Sequence, residues 1–168
     1  MMLANQNISL PSSFVILPVH NRKATTLKCL AQLDEQGDLN AYHIVVVDDG
    51  STDGTSEAVL IKYPAVKLLQ GSGDLWWTGA VKLGMEYALS TGANYCVWLN
   101  DDTFPEPGSI QSLIDYCDQH PQTIAAANVL DPHTNEPSYG GVVRQKFKVV
   151  SVFAKKKSRL YATDLVAI

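Results

Sequence analysis

The sequence lacks several features that mark particular classes of protein. It contains three cysteines, Cys29, Cys96 and Cys117, with no CxxC pair, which argues against a disulfide framework and predicts reduced, partly buried thiols. No apolar run approaches the roughly 20 residues that cross a bilayer. The stretch 1–13 is polar and lacks the basic and then apolar layout of a secretory signal.

An excess of basic residues is also missing. The net charge is −4, whereas proteins that bind nucleic acids in general are normally basic. Together these absences predict a cytoplasmic protein without a transmembrane segment and without a nucleic-acid partner. Association with the inner face of a membrane stays open.

What is present is the composition of one globular domain of 168 residues, with 46% hydrophobic and 18% charged residues. Short apolar runs rich in β-branched residues alternate with helical patterns, which predicts a mostly parallel sheet covered by helices on both faces, an α/β/α arrangement in three layers. Residues 142–153 alternate like antiparallel strands. The predicted strands are 14–19, 42–47, 66–69, 95–99 and 124–129, and the predicted helices are 24–36, 55–62, 79–90 and 109–119.

Polar groups follow three of these strands, at 18–22, 48–53 and 100–102. Ligands of parallel α/β sheets bind outside the carboxyl ends of the strands, so this coincidence predicts a site. The two carboxylates in Asn100-Asp101-Asp102 repel each other unless a cation lies between them. Hard oxygen ligands there suit Mg²⁺ or Mn²⁺ together with a substrate phosphate. The alternative is a solvated acidic turn, since acids are ordinary turn residues.

The second polar segment has two interpretations. Ser51, Thr52 and Asp53 are expected to cap the helix that follows. Asp48 ends its strand and is expected to point into the crevice, where its carboxylate can accept hydrogen bonds from a base N–H or a ribose hydroxyl.

Other residues near the predicted site leave alternatives open. His20 either forms a local hydrogen bond in its loop or contacts a ligand. Trp76 and Trp77 either belong to the core or line the pocket and stack on a sugar or base. The segment 71–73, Gly-Ser-Gly, matches the dinucleotide-binding fingerprint poorly, because Trp76 stands where the third glycine belongs.

Four segments together resemble the family 2 glycosyltransferases: FVILPVHNR, VVVDDGSTDGT, GDLWWTGAVKLGMEYAL and VWLNDDT. The resemblance covers roughly 14–129, and similarity to rhamnosyltransferase-like members extends to about residue 143. It implies the Rossmann-like GT-A fold of nucleotide-diphospho-sugar transferases. One such domain is then expected over residues 1–168.

The resemblance also implies how the donor is bound. Pro18 and His20 match positions that line the nucleotide base pocket. Asp48 matches the acid that contacts the base or ribose, and Asp49 is its neighbour. Gly79 lies where the family keeps small residues so that the helix can approach the donor.

Asn100-Asp101-Asp102 resembles the DXD motif of the family, with Asn in place of the first acid. By this resemblance Asp102 would hold Mn²⁺ or Mg²⁺ on the donor diphosphate, and Asp101 would contact the ribose or the metal shell.

The implied reaction transfers a sugar from a nucleotide-diphosphate sugar to an acceptor hydroxyl, with inversion and metal assistance. The acceptor is expected to be a saccharide or glycolipid. The family's catalytic base is an Asp or Glu of the second half, and Asp164 lies too early for it, so the base is not assigned. The acceptor half is therefore expected to be missing or incomplete, and exposed apolar surface there makes a homodimer plausible.

Two alternatives differ in function class. A non-catalytic module would bind nucleotide sugars without transfer, which the unassigned base favours. A nucleotidyltransferase that makes nucleotide sugars would carry a glycine-rich, basic signature near the N-terminus, and none follows residues 14–19.

Overall fold

The computed structural model describes residues 12–131, 133–134, 136–139, 142–145, 148–151 and 160–164. The chain divides into two compact units, Met1–Phe104 and Pro105–Ile168. All the candidate site residues lie in the first unit. Within the described residues, no helix combines the length and apolar character needed to span a membrane.

The first unit is built on a four-stranded sheet in the order β3-β2-β1-β4, in which every pairing is parallel. The predicted class and the mostly parallel sheet are therefore confirmed. The elements of this unit are β1 (Ser13–Val19), α1 (Lys23–Glu35), α2 (Asp38–Ala41), β2 (His43–Asp48), α3 (Thr55–Lys62), β3 (Lys67–Gln70), α4 (Trp76–Ser90) and β4 (Tyr95–Trp98).

Both faces of the sheet are covered, as the continuous apolar runs of its central strands predict. Ile16 and Val47 belong to a buried cluster on the face that α4 covers. Val15 and Leu17 point to the opposite face, because side chains alternate along a strand, and they are equally buried. The largest fully buried side chains also include Leu30 and Leu33 of α1 and Val59 of α3.

The second unit contains α5 (Ser109–Gln119), β5 (Thr123–Ala127), β6 (Val129–Leu130), β7 (Pro137–Tyr139), β8 (Val142–Gln145), β9 (Lys148–Ser151) and β10 (Leu160–Asp164). Its strand pairs β10-β5, β6-β7 and β8-β9 are all antiparallel. The antiparallel expectation for 142–153 is confirmed over the described residues, and residues 152–153 lie outside them. The single strand predicted over 124–129 is wrong, since pairing changes partner at Asn128.

One close contact fixes how α4 lies on the sheet. Gly84 of α4 is buried, and a Cβ atom added there would lie 2.5 Å from Cγ2 of Ile16 and 3.2 Å from Cγ2 of Val47. Ile16 is fully buried and branched at Cβ, so it has little freedom to move away. A glycine at this position lets the helix axis approach the strands closely.

Gly84→Ala is expected to destabilise the protein by about 1–3 kcal/mol, the usual effect of overpacking a core. Alanine is the better helix former by about 1 kcal/mol, so a loss of stability isolates the steric clash. Urea unfolding measures the change, with Lys82→Ala on the exposed side of α4 as control. Equal or higher stability of Gly84→Ala would contradict the close packing.

Candidate functional site

The loops that follow β1, β2 and β4 leave the sheet at one edge, as expected for parallel strands. Backbone hydrogen bonds continue beyond the strands: Leu99 N–H donates to the Ile16 carbonyl at 3.0 Å, and Asp49 N–H donates to the Val19 carbonyl at 2.9 Å. The three polar segments singled out from the sequence therefore begin side by side. The structure brings together all the strand ends that were expected to form a site.

Asn21 ties the β1 loop to the β2 loop. Its N–H donates to Oγ of Ser51 at 2.8 Å, and its Oδ1 accepts from the N–H of Thr52 at 2.7 Å. The backbone of Asn21 is left-handed, with φ of 50°, a conformation that Asn adopts more readily than most residues. These bonds fix the position of both loops relative to each other.

His20 is held by the same two loops. Its Nδ1 lies 2.5 Å from the carbonyl oxygen of Asp49, and its Nε2 lies 3.0 Å from Nδ2 of Asn21. A carbonyl only accepts, so Nδ1 carries the proton and Nε2 accepts from the Asn21 amide. The local hydrogen bond expected as one alternative is thus present. Contact between this exposed ring and a base remains a prediction.

Asp48 is fully buried, and its carboxylate faces its own loop. Oδ1 accepts from the N–H of Ser51 at 2.9 Å, and Oδ2 accepts from the hydroxyl of Ser56. Gln70 in turn donates to the Ser56 hydroxyl at 2.8 Å. The expectation that this side chain points into the crevice is wrong, because the loop backbone and the Ser56 hydroxyl of α3 supply nearby donors. Its contact with a nucleotide stays a prediction.

Of the three residues expected to cap α3, Asp53 forms hydrogen bonds with the first residue of this helix. Asp53 accepts the N–H of Thr55 at 3.0 Å with Oδ1, and it accepts the N–H of Lys23 at 3.0 Å with Oδ2. One carboxylate thus joins the first residues of α3 and α1. These hydrogen bonds, led by the one from the Thr55 hydroxyl, lower the pKa of Asp53.

Asp49 organises the loop between β3 and α4. Its Oδ1 accepts from the N–H of Gly73 at 2.7 Å, and its Oδ2 accepts from the N–H of Trp76 at 3.0 Å. A carboxylate at the first residue of a helix is favourable for the helix dipole. This bond explains why α4 begins at Trp76, three residues before the predicted start at Gly79.

Glycines allow the loop between β3 and α4 to pack closely against the β2 loop. A Cβ atom at Gly71 would lie 2.6 Å from Oδ1 of Asp49, and one at Gly50 would lie 2.8 Å from Cα of Gly73. Gly50 also has φ of 72°, where a side chain is strained. Gly71 is therefore accounted for by its close approach to the β2 loop, and Gly73 by its left-handed φ of 96°, without a dinucleotide fingerprint.

Pro18 and Gly79 occupy the margins of this arrangement. Pro18 is half-buried in β1, opposite Val47 of β2. A Cβ atom at Gly79 would lie 3.0 Å from Cβ of Leu75, so a small residue there also suits the packing at the start of α4. Their contacts with a donor remain predictions.

The acid pair after β4 divides into an inward and an outward carboxylate. Asp101 is buried at 3% exposure, and its Oδ2 accepts from the Thr26 hydroxyl at 2.9 Å. The Asp102 side chain is 52% exposed. Burial is the main cause that raises the pKa of Asp101, and the bond from Thr26 and the charge of Arg22 oppose it. The expected solvated turn is therefore only half right.

Arg22 lies between the two acids. Its Nε is 3.3 Å from Oδ1 of Asp101, and its Nη2 is 2.8 Å from Oδ2 of Asp102. The hydrogen bond to Asp102 is the largest cause that raises the pKa of Arg22. The sequence predicted a cation between the two acids, but as a metal ion and not as an arginine side chain. Arg22 follows β1, and the acids follow β4, which pairs with β1. A basic residue at the end of the neighbouring strand is the feature that could have predicted the contact.

Asn100, the first residue of the motif, accepts a hydrogen bond from a tryptophan. Nε1–H of Trp77 donates to Oδ1 of Asn100 at 2.7 Å. The Trp77 ring also meets Trp98 edge-on, with centroids 6.1 Å apart. Trp76 is 82% exposed and Trp77 is 48% exposed, so the core alternative for these two residues is wrong. A half-exposed indole thus lies beside the acid pair, and its contact with a ligand stays a prediction.

The chemistry of the donor set decides which kind of cation fits. Across the residues that the structure describes, no group of three or more His, Cys, Asp or Glu side chains could hold a metal ion. Mg²⁺, and Mn²⁺ as a cation of similar ligand preference, need only one or two carboxylates when waters and substrate phosphates complete the shell. The exposed Asp102 fits a cation shared with a phosphate, whereas a metal held by protein ligands alone does not fit.

The sequence matches a known family over most of its length. The family model described as glycosyl transferase family 2 matches residues 14–163. The chain belongs to this family. The match includes every candidate site residue.

Two curated relatives from Mycobacterium tuberculosis are similar to part of this chain. An N-acetylglucosaminyl-diphospho-decaprenol L-rhamnosyltransferase is 33% identical over 103 residues, which cover 56% of this chain and 32% of that protein. The galactofuranosyltransferase GlfT1 is 35% identical over 92 residues, which cover 54% of this chain and 30% of that protein. The chain thus spans about a third of the length of the curated relatives it matches.

Solved structures confirm the GT-A fold. The mannosyltransferase PcManGT from Pyrobaculum calidifontis, in complex with GDP-Man and Mn²⁺, matches with a TM-score of 0.62 at 23% identity, over 74% of this chain and 37% of that one. Residues 1–349 of S. aureus TarS match with a TM-score of 0.57 at 20% identity, over 82% of this chain and 40% of that one.

Asp49→Asn is expected to destabilise the first unit by about 1–3 kcal/mol. An amide has one accepting oxygen, so its NH₂ group would face either the Gly73 or the Trp76 N–H without a bond. Urea unfolding measures the loss, and amide hydrogen exchange should quicken at Gly73 or at Trp76. Asp34→Asn, at an exposed position of α1, is the control. Unchanged exchange at both amides would contradict the two hydrogen bonds assigned to Asp49.

Proposed function

We propose that this domain binds the nucleotide-diphosphate part of a sugar donor, and that the protein transfers the sugar to an acceptor hydroxyl with inversion. The observation that carries the proposal is the exposed carboxylate of Asp102 at the end of β4, beside the loops of β1 and β2, in a family 2 glycosyltransferase domain. An anionic diphosphate needs a cation next to such a carboxylate. Mn²⁺ or Mg²⁺ is the proposed cofactor.

Ligands in related folds support this choice. The PcManGT structure is a complex with GDP-Man and Mn²⁺, and a TarS structure is a complex with UDP-GlcNAc. A glucosyl-3-phosphoglycerate synthase from Mycobacterium tuberculosis was crystallised with UDP and Mn²⁺, and it matches with a TM-score of 0.55 at 17% identity over 73% of this chain and 45% of that one. We carry over to this chain the class of donor, a nucleotide diphosphate, and the divalent cation.

The residues of the site would act in two groups. The β1 and β2 loops, with Pro18, His20, Asp48 and Asp49, would receive the base and ribose. They are already fixed by the hydrogen bonds of Asn21 and Asp49, so little ordering would accompany binding.

The acid pair would receive the diphosphate end. Asp101 anchors the turn through Thr26 and would lie toward the ribose or the metal shell. Asp102 would ligate the metal, and Gly79 would allow α4 to approach the donor. When bound, the metal supplies neutralisation of the charge that develops on the departing diphosphate.

The transfer step itself needs an acceptor and a base. An acceptor oxygen attacks the anomeric carbon on the side opposite the diphosphate, which inverts that centre, while a base takes its proton. A saccharide or glycolipid is the proposed acceptor, in keeping with the lipid-linked acceptor in the name of the rhamnosyltransferase relative. The base is not assigned to any residue.

Calorimetry with UDP, dTDP and GDP tests the proposal. We expect at least one of them to bind in the presence of Mn²⁺ and to bind much more weakly in EDTA. Asp102→Ala should lower the Mn²⁺-dependent affinity by at least about tenfold, since even outer-shell partners of metal ligands are worth about 10- to 100-fold.

Asp34→Asn should bind like the unmodified protein, because residue 34 is an exposed position of α1 outside the candidate site. Absence of binding by all three nucleotides with Mn²⁺, or an Asp102→Ala variant that binds normally, would reject the proposal. Binding with neither transfer nor hydrolysis of the matching nucleotide sugar would favour the non-catalytic alternative.

A further inference from the structure

Arg22 occupies the place at which a metal is proposed to bind. Its guanidinium contacts both acids of the turn, and it reaches each acid with a different nitrogen. Adjacent carboxylates repel each other and need a cation nearby. In the protein alone this cation is the arginine side chain, and its contact with Asp102 is the shorter of the two.

The two contacts differ in their surroundings. Nε of Arg22 faces Asp101, whose side chain is 4% exposed, whereas Nη2 faces Asp102, whose side chain is 52% exposed. Ion pairs in water are weak, worth little more than thermal energy, and those shielded from water are harder to break. The outer contact is therefore the one that a competing cation can replace.

The backbone of Arg22 is fixed where these contacts require it. Its carbonyl accepts the N–H of Thr26 at 2.9 Å, and the hydroxyl of Thr26 donates to Asp101 at 2.9 Å. The next residue, Lys23, donates its N–H to Asp53 at 3.0 Å. These hydrogen bonds hold the backbone of Arg22 beside Asp101, while the arginine side chain is 44% exposed.

We propose that Arg22 is a positioning residue that neutralises Asp102 until a divalent cation displaces it. The displacement breaks the contact between Nη2 and Asp102 and leaves the contact between Nε and Asp101 in place. This inference rests on the proposed function, because it assumes that a metal binds at Asp102. Arg22 and the metal then compete for one carboxylate.

Removing the guanidinium tests whether Arg22 and the metal compete for Asp102. In Arg22→Gln, we expect Mn²⁺ to bind about three- to tenfold more tightly, in the presence of the nucleoside diphosphate that binds best. The magnitude follows from the loss of one exposed ion pair and of one positive charge close to the metal. A residue with a merely structural role would leave the affinity unchanged or weaken it. Calorimetry or the electron paramagnetic resonance signal of free Mn²⁺ measures the constant.

Thermal unfolding gives a second readout. Without metal, Arg22→Gln should unfold at a temperature lower by several degrees, because the acids then repel each other without a counter-charge. Saturating Mn²⁺ should raise the unfolding temperature of this variant more than that of the unmodified protein. Lys82→Gln, which removes an equally positive side chain from the exposed pair with Glu86, should show neither effect.

Arg22→Lys guards against a variant that does not fold. Lysine keeps the charge and lacks the fork that contacts both acids at once, so its Mn²⁺ affinity should lie between those of the other two proteins. If the unmodified protein binds Mn²⁺ and neither variant binds it more tightly, the inference is overturned and the proposed function stands. If none of the three binds Mn²⁺, the metal part of the proposed function fails and the inference fails with it. Binding by Arg22→Gln alone would support the inference.

Discussion

Two carboxylates on neighbouring residues repel each other, and at the end of β4 this repulsion is met from two directions. Thr26 and Arg22 both reach the acids from the start of α1, one with a hydroxyl and one with a guanidinium. The turn can therefore close with Asp101 buried and Asp102 in water. The start of the helix that follows β1 thus fixes the residues that follow β4. The arrangement of the loops at this edge of the sheet depends on these contacts.

The remaining acids of the edge bind backbone. Asp48, Asp49 and Asp53 all accept N–H groups from loops or helix starts. Carboxylates used in this way hold the loops in one arrangement before any ligand arrives. Of the acids predicted for the site, Asp102 differs in being half-exposed, and it is paired with Arg22. The site thus combines a rigid frame with one available anionic group.

Local signals were enough to predict much of this fold. The bounds of α3 and α5 agree with the sequence prediction residue for residue, because Pro64 follows the first helix closely and Gly108 precedes the second. The polar strand ends also met at one edge as expected. These features depend on neighbours in sequence or on the general geometry of parallel sheets.

The features that escaped prediction depend on distant partners. The early start of α4 requires the carboxylate of Asp49, which is 27 residues away from Trp76. The contact between Arg22 and Asp102 spans 80 residues. The inward turn of Asp48 depends on which loop donors lie nearest. A single sequence shows that such groups exist and does not show which of them pair, because pairing is decided by the packed backbone.

The glycine at position 84 has a bearing on the site as well as on the core. Trp77 lies seven residues before it on the same helix, which is about 10 Å along the axis. A helix is stiff over that distance, so the depth at which Gly84 seats on Ile16 sets the height at which the Trp77 indole meets Asn100. The absence of a side chain at position 84 thus helps to set the position of an aromatic ring beside the acid pair.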